Sequence, residues 1–222
     1  GKAAHAAAAP WEGRNALDAA VLGYVNVAAL RQHIRPSERI HGIFTEAGEK
    51  PNIVPRQAAA TWYVRSDTIS SLQPLKKRVM ACLEGATSAC GCTMDSQWDD
   101  HTYADVRDNM ALVGAYVQNM TALGRHVMDP RVSGHSVVGS TDMGNVSHLV
   151  PSLHPMIASA PSGTSIHTKQ FAQFARSPMA DKAVLDGAKA MAMTAIDFWT
   201  SPERQAAVAA EFATANPDRN VL

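Results

Sequence analysis

Apolar residues recur at near-helical spacing from Ala16 to His33, through Leu17, Val21, Val25, Ala28 and Leu30. Gly13 and Asn15, just ahead of this run, suit a helix start. The period then shortens to two. Across Ala58–Arg65, Ala60, Trp62 and Val64 alternate with Thr61, Tyr63 and Arg65, which predicts a strand, and Arg39–Thr45 reads as its predecessor. Between them EAGEKPNIVP is loop-like, because Gly48, Pro51 and Pro55 interrupt any regular pattern. Ser70 and Ser71 precede a second helix predicted over Leu72–Leu83, with Pro74 tolerated in its first turn. A short strand around Cys92–Gln97 would close the unit.

The resulting order is helix, strand, strand, helix, strand. One further strand ending at Gly1 would turn it into the split βαβ arrangement of ferredoxin-like domains. The polar segment WDDHTYAD, Trp98–Asp105, is the expected junction, dividing the chain into residues 1–97 and 98–222. Beyond it a helix is predicted over Ala104–Leu123. A Gly/Ser-rich stretch, VSGHSVVGSTDMGNVS, then leads through apolar VPSLHPMIAS to the polar loop APSGTSIHTKQF. A long helix over Ala183–Trp199 and a polar tail follow. The expected fold class is α+β.

Composition narrows the function classes. Twenty basic and twenty acidic residues cancel, whereas a nucleic-acid binder carries a basic excess. No apolar run reaches the length of a membrane span, and no secretory signal is visible, although the chain opens on Gly1 rather than Met. Cys82, Cys90 and Cys92 form neither a disulfide framework nor a structural zinc site. They read as packed thiols suited to a reducing, cytoplasmic setting.

No H-E-x-x-H, P-loop, G-x-S-x-G or G-x-G-x-x-G occurs, nor an adjacent Glu pair or D-x-H-x-D. What stands out is histidine in loops of small residues. His5 sits among alanines, His167 follows Ser162–Ser165, and His135, His148 and His154 lie before it. Imidazole binds divalent metals and donates to developing negative charge, yet each histidine taken singly also fits a surface or satisfied core position. Asn52 and Arg65 combine an amide with a planar guanidinium, a pair suited to a carboxylate, though a turn Asn and a surface Arg would look the same. Asp142, in a Gly/Ser loop, fits a turn as well as a ligand contact.

Together these motifs resemble one family: the dinuclear-metal peptidases and amidohydrolases that include bacterial glutamate carboxypeptidase, aminoacylase and the auxin-conjugate hydrolases. GKAAHAAAAPWEGRNALDAA resembles the opening of that family's lid domain, PNIVP and YVR its lid loop and strand, VVGSTDMGNVS a catalytic-domain loop, and SIHTKQF the segment with its last metal ligand. GSTDMGNVSHLVPSLHP and AMAMTAIDFW are most similar to the subgroup of aminobenzoyl-glutamate hydrolase and β-alanyl-lysine dipeptidases.

The resemblance implies a role for each candidate. His167 would be a metal ligand. His5 would be the lid histidine that polarises the scissile carbonyl in a partner subunit's site. Asn52 and Arg65 would hold a substrate carboxylate, and Gly139, Ser140, Thr141 and Asp142 would line the cleft. It implies a ferredoxin-like lid at 1–97 and the last part of an α/β catalytic domain at 98–222, the N-terminal catalytic half being absent. The complete enzyme would use two divalent ions, zinc first and manganese as the alternative, with none held tightly by this chain alone. It would act as a homodimer through the lid on a small amide substrate bearing a carboxylate, with no nucleic acid or membrane involved. Two other readings remain open: a non-catalytic dimerisation and substrate-binding module, and a small ferredoxin-like regulatory domain that would explain only residues 1–97.

Overall fold

The computed structural model describes residues 1–99, 101–128 and 140–215, which fall into two compact units, Gly1–Thr102 and Tyr103–Leu222. In the first unit, helix α1 spans Ala16–Leu30 and is capped by Asn15, whose Oδ1 accepts from the Leu17 and Asp18 amides. Its last predicted residues, Arg31–His33, tighten into a 3₁₀ turn. Strands β1, Arg39–Glu46, and β2, Ala59–Arg65, pair antiparallel from Arg39↔Arg65 to Glu46↔Ala59, with an irregularity between Phe44 and Glu46. Trp62 lies across Gly42, where any Cβ would collide with its ring. Helix α2 covers Ile69–Ala89. Val27, Leu30, Ile40, Leu75 and Val79 are buried together between the helices and one sheet face. The other face leaves Ile43 and Tyr63 exposed.

Two expectations for this unit need correcting. Helix α2 begins three residues early, because Thr68 and Ser71 form a reciprocal capping box. Pro74 therefore sits beyond the first turn, inside the helix. The strand expected at Cys92–Gln97 does not form. In a split βαβ arrangement the closing strand pairs with the opening one. Here Lys2 and His5 instead make isolated bridges to Arg14 and Ile53, which leaves residues 92–97 without a ladder. Mixed helix and sheet is observed; the described sheet has two strands.

The second unit is helical: α3 Met110–Ala122, α4 Met143–Leu149, α5 Lys169–Phe174, α6 Pro178–Thr200 and α7 Pro202–Ala215. Tyr116, Met120 and Ala190 centre its core. Helix α3 starts later than its pattern predicts because neighbours capture the backbone of residues 104–109. The Ala104 amide donates to Asn145, that of Arg107 to Ser147 Oγ, and that of Asn109 to the Ser152 carbonyl. Glu211 then receives the Met110 and Ala111 amides. The expected polar tail is mostly helix α7, which buries Val208 and Phe212. Strand pairing in this unit is confined, among the described residues, to one parallel bridge, Asp108↔Ser152.

Candidate functional site

His5 opens a turn that closes on itself, the Ala9 amide donating to the His5 carbonyl. Its Nδ1 accepts from the amides of Ala7, at 3.3 Å, and Ala8, at 3.1 Å. A ring nitrogen that accepts carries no proton, so in the neutral ring Nε2 is the N–H donor, on an exposed side chain. The sequence showed the histidine; only the fold shows which nitrogen is free to donate.

The structure brings His5 and Asn52 together. His5 bridges Ile53, the Ala6 amide donates to the Asn52 carbonyl at 3.0 Å, and the Val54 amide donates to the Ala4 carbonyl. The Asn52 side chain is exposed. Arg65 is elsewhere. The Asn52 loop joins the ladder at its Glu46/Ala59 end, and Arg65 ends β2 opposite Arg39. Six residues of strand at about 3.3 Å each separate the two ends by roughly 20 Å. The length of α1, which runs alongside, agrees: its 15 residues at about 1.5 Å each span ~22 Å. Arg65 thus stands at the end of β2 away from the Asn52 loop. Arg65 is exposed and stacks over Tyr63, 5.9 Å from the ring centroid.

In the second unit, Gly139 and His135 lie outside the described residues. Ser140 and Asp142 are exposed, and Thr141 is half-buried. Thr141 Oγ1 accepts the Met143 amide at 3.3 Å and lies 3.4 Å from Asp142 Oδ1, so the segment is a turn feeding α4. Gly144 beside it admits no side chain, since a Cβ would fall 1.8 Å from the Ala104 carbonyl oxygen. His148 is buried, its Nε2 3.0 Å from the Asp105 carbonyl oxygen, which makes it a satisfied structural histidine. His154 is exposed.

His167 is different. It is exposed and has φ +62°, the one left-handed non-glycine residue among those described. Such backbone strain gathers at functional sites and carries no sequence signature. Thr168 follows it, taking the Phe171 amide and donating to the Ser165 carbonyl, so the turn is pinned from its C-terminal side. Among the described residues no three His, Cys, Asp or Glu side chains converge as a metal site. A tight site takes three or four protein ligands, so the described residues do not by themselves make up the metal centre that the motifs imply. No helix among them is long and apolar enough to cross a membrane.

Comparison with known proteins bears on these positions. Residues 1–88 match the family model described as a peptidase dimerisation domain. The chain is 42% identical over 212 residues to Xaa-Arg dipeptidase of Mus musculus, covering 96% of this chain and 49% of that protein. It is 41% identical over 203 residues to the Homo sapiens Xaa-Arg dipeptidase, covering 91% and 46%. To a p-aminobenzoyl-glutamate hydrolase polypeptide of Escherichia coli (strain K12) it is 26% identical over 251 residues, covering 90% and 52%. The chain thus spans about half the length of the curated relatives it matches.

Proposed function

From the premise that this chain belongs to the peptidase family whose dimerisation domain matches residues 1–88, we propose that it supplies the lid and the closing part of the catalytic domain of a metal-dependent amidohydrolase. The reaction is hydrolysis of the amide bond of a dipeptide or N-acyl amino acid. The relatives at 42% and 41% identity are named Xaa-Arg dipeptidase, so a dipeptide ending in arginine is the first substrate to test. Residues 1–97 act as the ferredoxin-like lid, and the chain alone is inactive. Two divalent ions, zinc before manganese, belong to the completed protein; His167 is this chain's contribution to holding them, and Ser140–Asp142 flank the cleft.

The observation that carries this reading is the Nε2–H of His5, presented on a turn fixed through Nδ1. A fixed, outward donor is suited to the oxygen of an amide carbonyl as it gains charge. The strand length of about 20 Å between the ends of β2 supports a shared arrangement. His5 and Asn52 act from one lid, while Arg65 takes the substrate carboxylate in the site completed by the other. Val21, Leu22 and Val25 are exposed on α1, and the outer edge of β1 is unpaired among the described residues, so the lid has surface to offer a second copy. Val184, Leu185, Met191, Ile196 and Trp199 are exposed along α6. We assign their cover to the catalytic segment that the relatives carry beyond the span of this chain.

The test uses this chain joined to such a segment. His5→Ala lowers turnover by about a hundred- to a thousandfold. Arg65→Ala weakens carboxylate-bearing substrates by about 2–5 kcal/mol. Mixing the two inactive variants restores activity through hybrid dimers, each with one intact site, to roughly one quarter of wild type after full exchange. No restoration with proven subunit exchange rules out the shared site. Absence of amide hydrolysis in the completed protein with zinc or manganese supplied favours the non-catalytic binding module.

A further inference from the structure

The structure assigns a reversible dithiol–disulfide site to Cys90 and Cys92, at the end of helix α2, with a low-molecular-weight disulfide of the glutathione type as its reactant. The helix stops in a fixed turn. The Cys90 amide donates to the Ala86 carbonyl at 3.2 Å, that of Gly91 to Ser88 at 3.0 Å and that of Cys92 to Thr87 at 3.0 Å. The last two are the pair of bonds that closes a helix on a left-handed residue, and Gly91 holds φ +61°. Glycine takes that conformation without cost, whereas a Cβ there would also press on Arg14 Cδ at 3.3 Å. The backbone of Cys90, Gly91 and Cys92 is thereby set before any bond forms between the sulfurs.

The side chains are placed for that bond. Cys90 and Cys92 are both half-buried, while Cys82 packs against the core about 12 Å back along α2. Cys92 Sγ turns back on its neighbour and lies 3.6 Å from the Cys90 carbonyl oxygen. In a chain that turns, residues two apart keep their Cα atoms about 6 Å from each other, within the reach of a disulfide. Burial, then the charge of a Cys92 thiolate, then that of Asp18, push the Cys90 thiol up, so two thiolates side by side are disfavoured and a sulfur–sulfur bond removes both charges. Cys92 attacks first, because Cys90 is the thiol held protonated. Its sulfur bonds to one sulfur of the small disulfide, whose own bond breaks, and the departing sulfur keeps the electron pair and takes up a proton. Cys90 then gives its proton to water and bonds to Cys92 Sγ, and the second small thiol leaves in the same way. The chain loses two electrons, and one small disulfide becomes two thiols. The site lies apart from the residues assigned to the peptidase reaction and does not rest on that reading.

Equilibrating the 222-residue chain with mixtures of reduced and oxidised glutathione, then quenching, alkylating and mapping peptides by mass, tests it. In the oxidising mixtures Cys90 and Cys92 escape alkylation, and their peptide carries a bond between them that dithiothreitol opens. Cys90→Ser and Cys92→Ser each keep a mixed disulfide with glutathione, which the unaltered chain resolves. Because the turn sets the backbone in advance, closure in the folded chain is about tenfold more favourable than in the same chain in denaturant, the equivalent of ordering roughly one residue. Gly91→Ala keeps both thiols and disturbs the turn, so it loses that advantage whether the helix end shifts or frays. Alkylation of Cys90 and Cys92 in every mixture, a lasting mixed disulfide on either in the unaltered chain, a bond from either to Cys82, closure no better folded than denatured, or Gly91→Ala closing as well as the unaltered chain would each overturn the assignment.

Discussion

Replacing His167 by glycine should stabilise the second unit while removing the imidazole proposed as a metal ligand. His167 holds φ +62° in an exposed turn, and a left-handed conformation costs an L-residue about 1–2 kcal/mol. Glycine removes that cost but gives back about 0.4–1 kcal/mol through the greater freedom of its unfolded chain. The net expectation is a gain of about 0.5–1 kcal/mol over His167→Ala, which keeps the strain and loses the imidazole. In a unit of this size the difference raises the melting midpoint by roughly 2–4 °C. Denaturant unfolding of both variants, with amide exchange at Phe171 as a local probe of the turn, measures it. Equal stability of the two variants would show that the turn does not hold its left-handed geometry, and the link between strain and site would fall. Under the proposed metal role both variants lose the imidazole, so in the completed protein both should be inactive whatever their stability.

Two further predictions concern the scaffold. Leu75 is 2% exposed among Val27, Leu30, Ile40 and Val79, so Leu75→Ala should cost the first unit about 3 kcal/mol, seen as a lowered midpoint for that unit with the second unchanged. Equal loss in both units would refute their independence. Asp186 receives Lys182 Nζ at 2.6 Å and Arg125 Nε at 2.7 Å, and these contacts hold its carboxyl below the ordinary aspartate value of 3.8. A folded-state pKa below the unfolded one stabilises above the unfolded value and is lost as pH falls through the folded one. The stability gap between wild type and Asp186→Asn should therefore be full at neutral pH and close below about pH 4. A gap that persists undiminished in acid would remove Asp186 from the ion cluster.

Where local periodicity governs, the sequence alone sufficed. Leu17 to Leu30 announced that α1 is a helix and Ala60 to Arg65 that β2 is a strand, but the face α1 buries is Ala19, Gly23, Val27 and Leu30, while Val21 and Val25 stay exposed. The family was legible in short motifs such as GKAAHAAAAP and GSTDMGNVS, and the match to residues 1–88 supports it. Features that depend on a distant neighbour were not legible. Residues 92–97 have strand-like character but no ladder partner. Ala104–Asp108 have a helical pattern, yet Asn145, Ser147 and Ser152 claim backbone groups of this segment and Asn109. The polar-looking end became α7 once Val208 and Phe212 found a core.

The candidate site divides in the same way. Sequence named His5, Asn52, Arg65 and His167 by type. Tertiary structure placed His5 beside Asn52, set Arg65 at the opposite end of β2, oriented the His5 ring through Nδ1 and put His167 in a left-handed turn. Glu38 carried no motif at all. Its burial, with Oε2 taking the Arg35 amide, is a property that only folding creates.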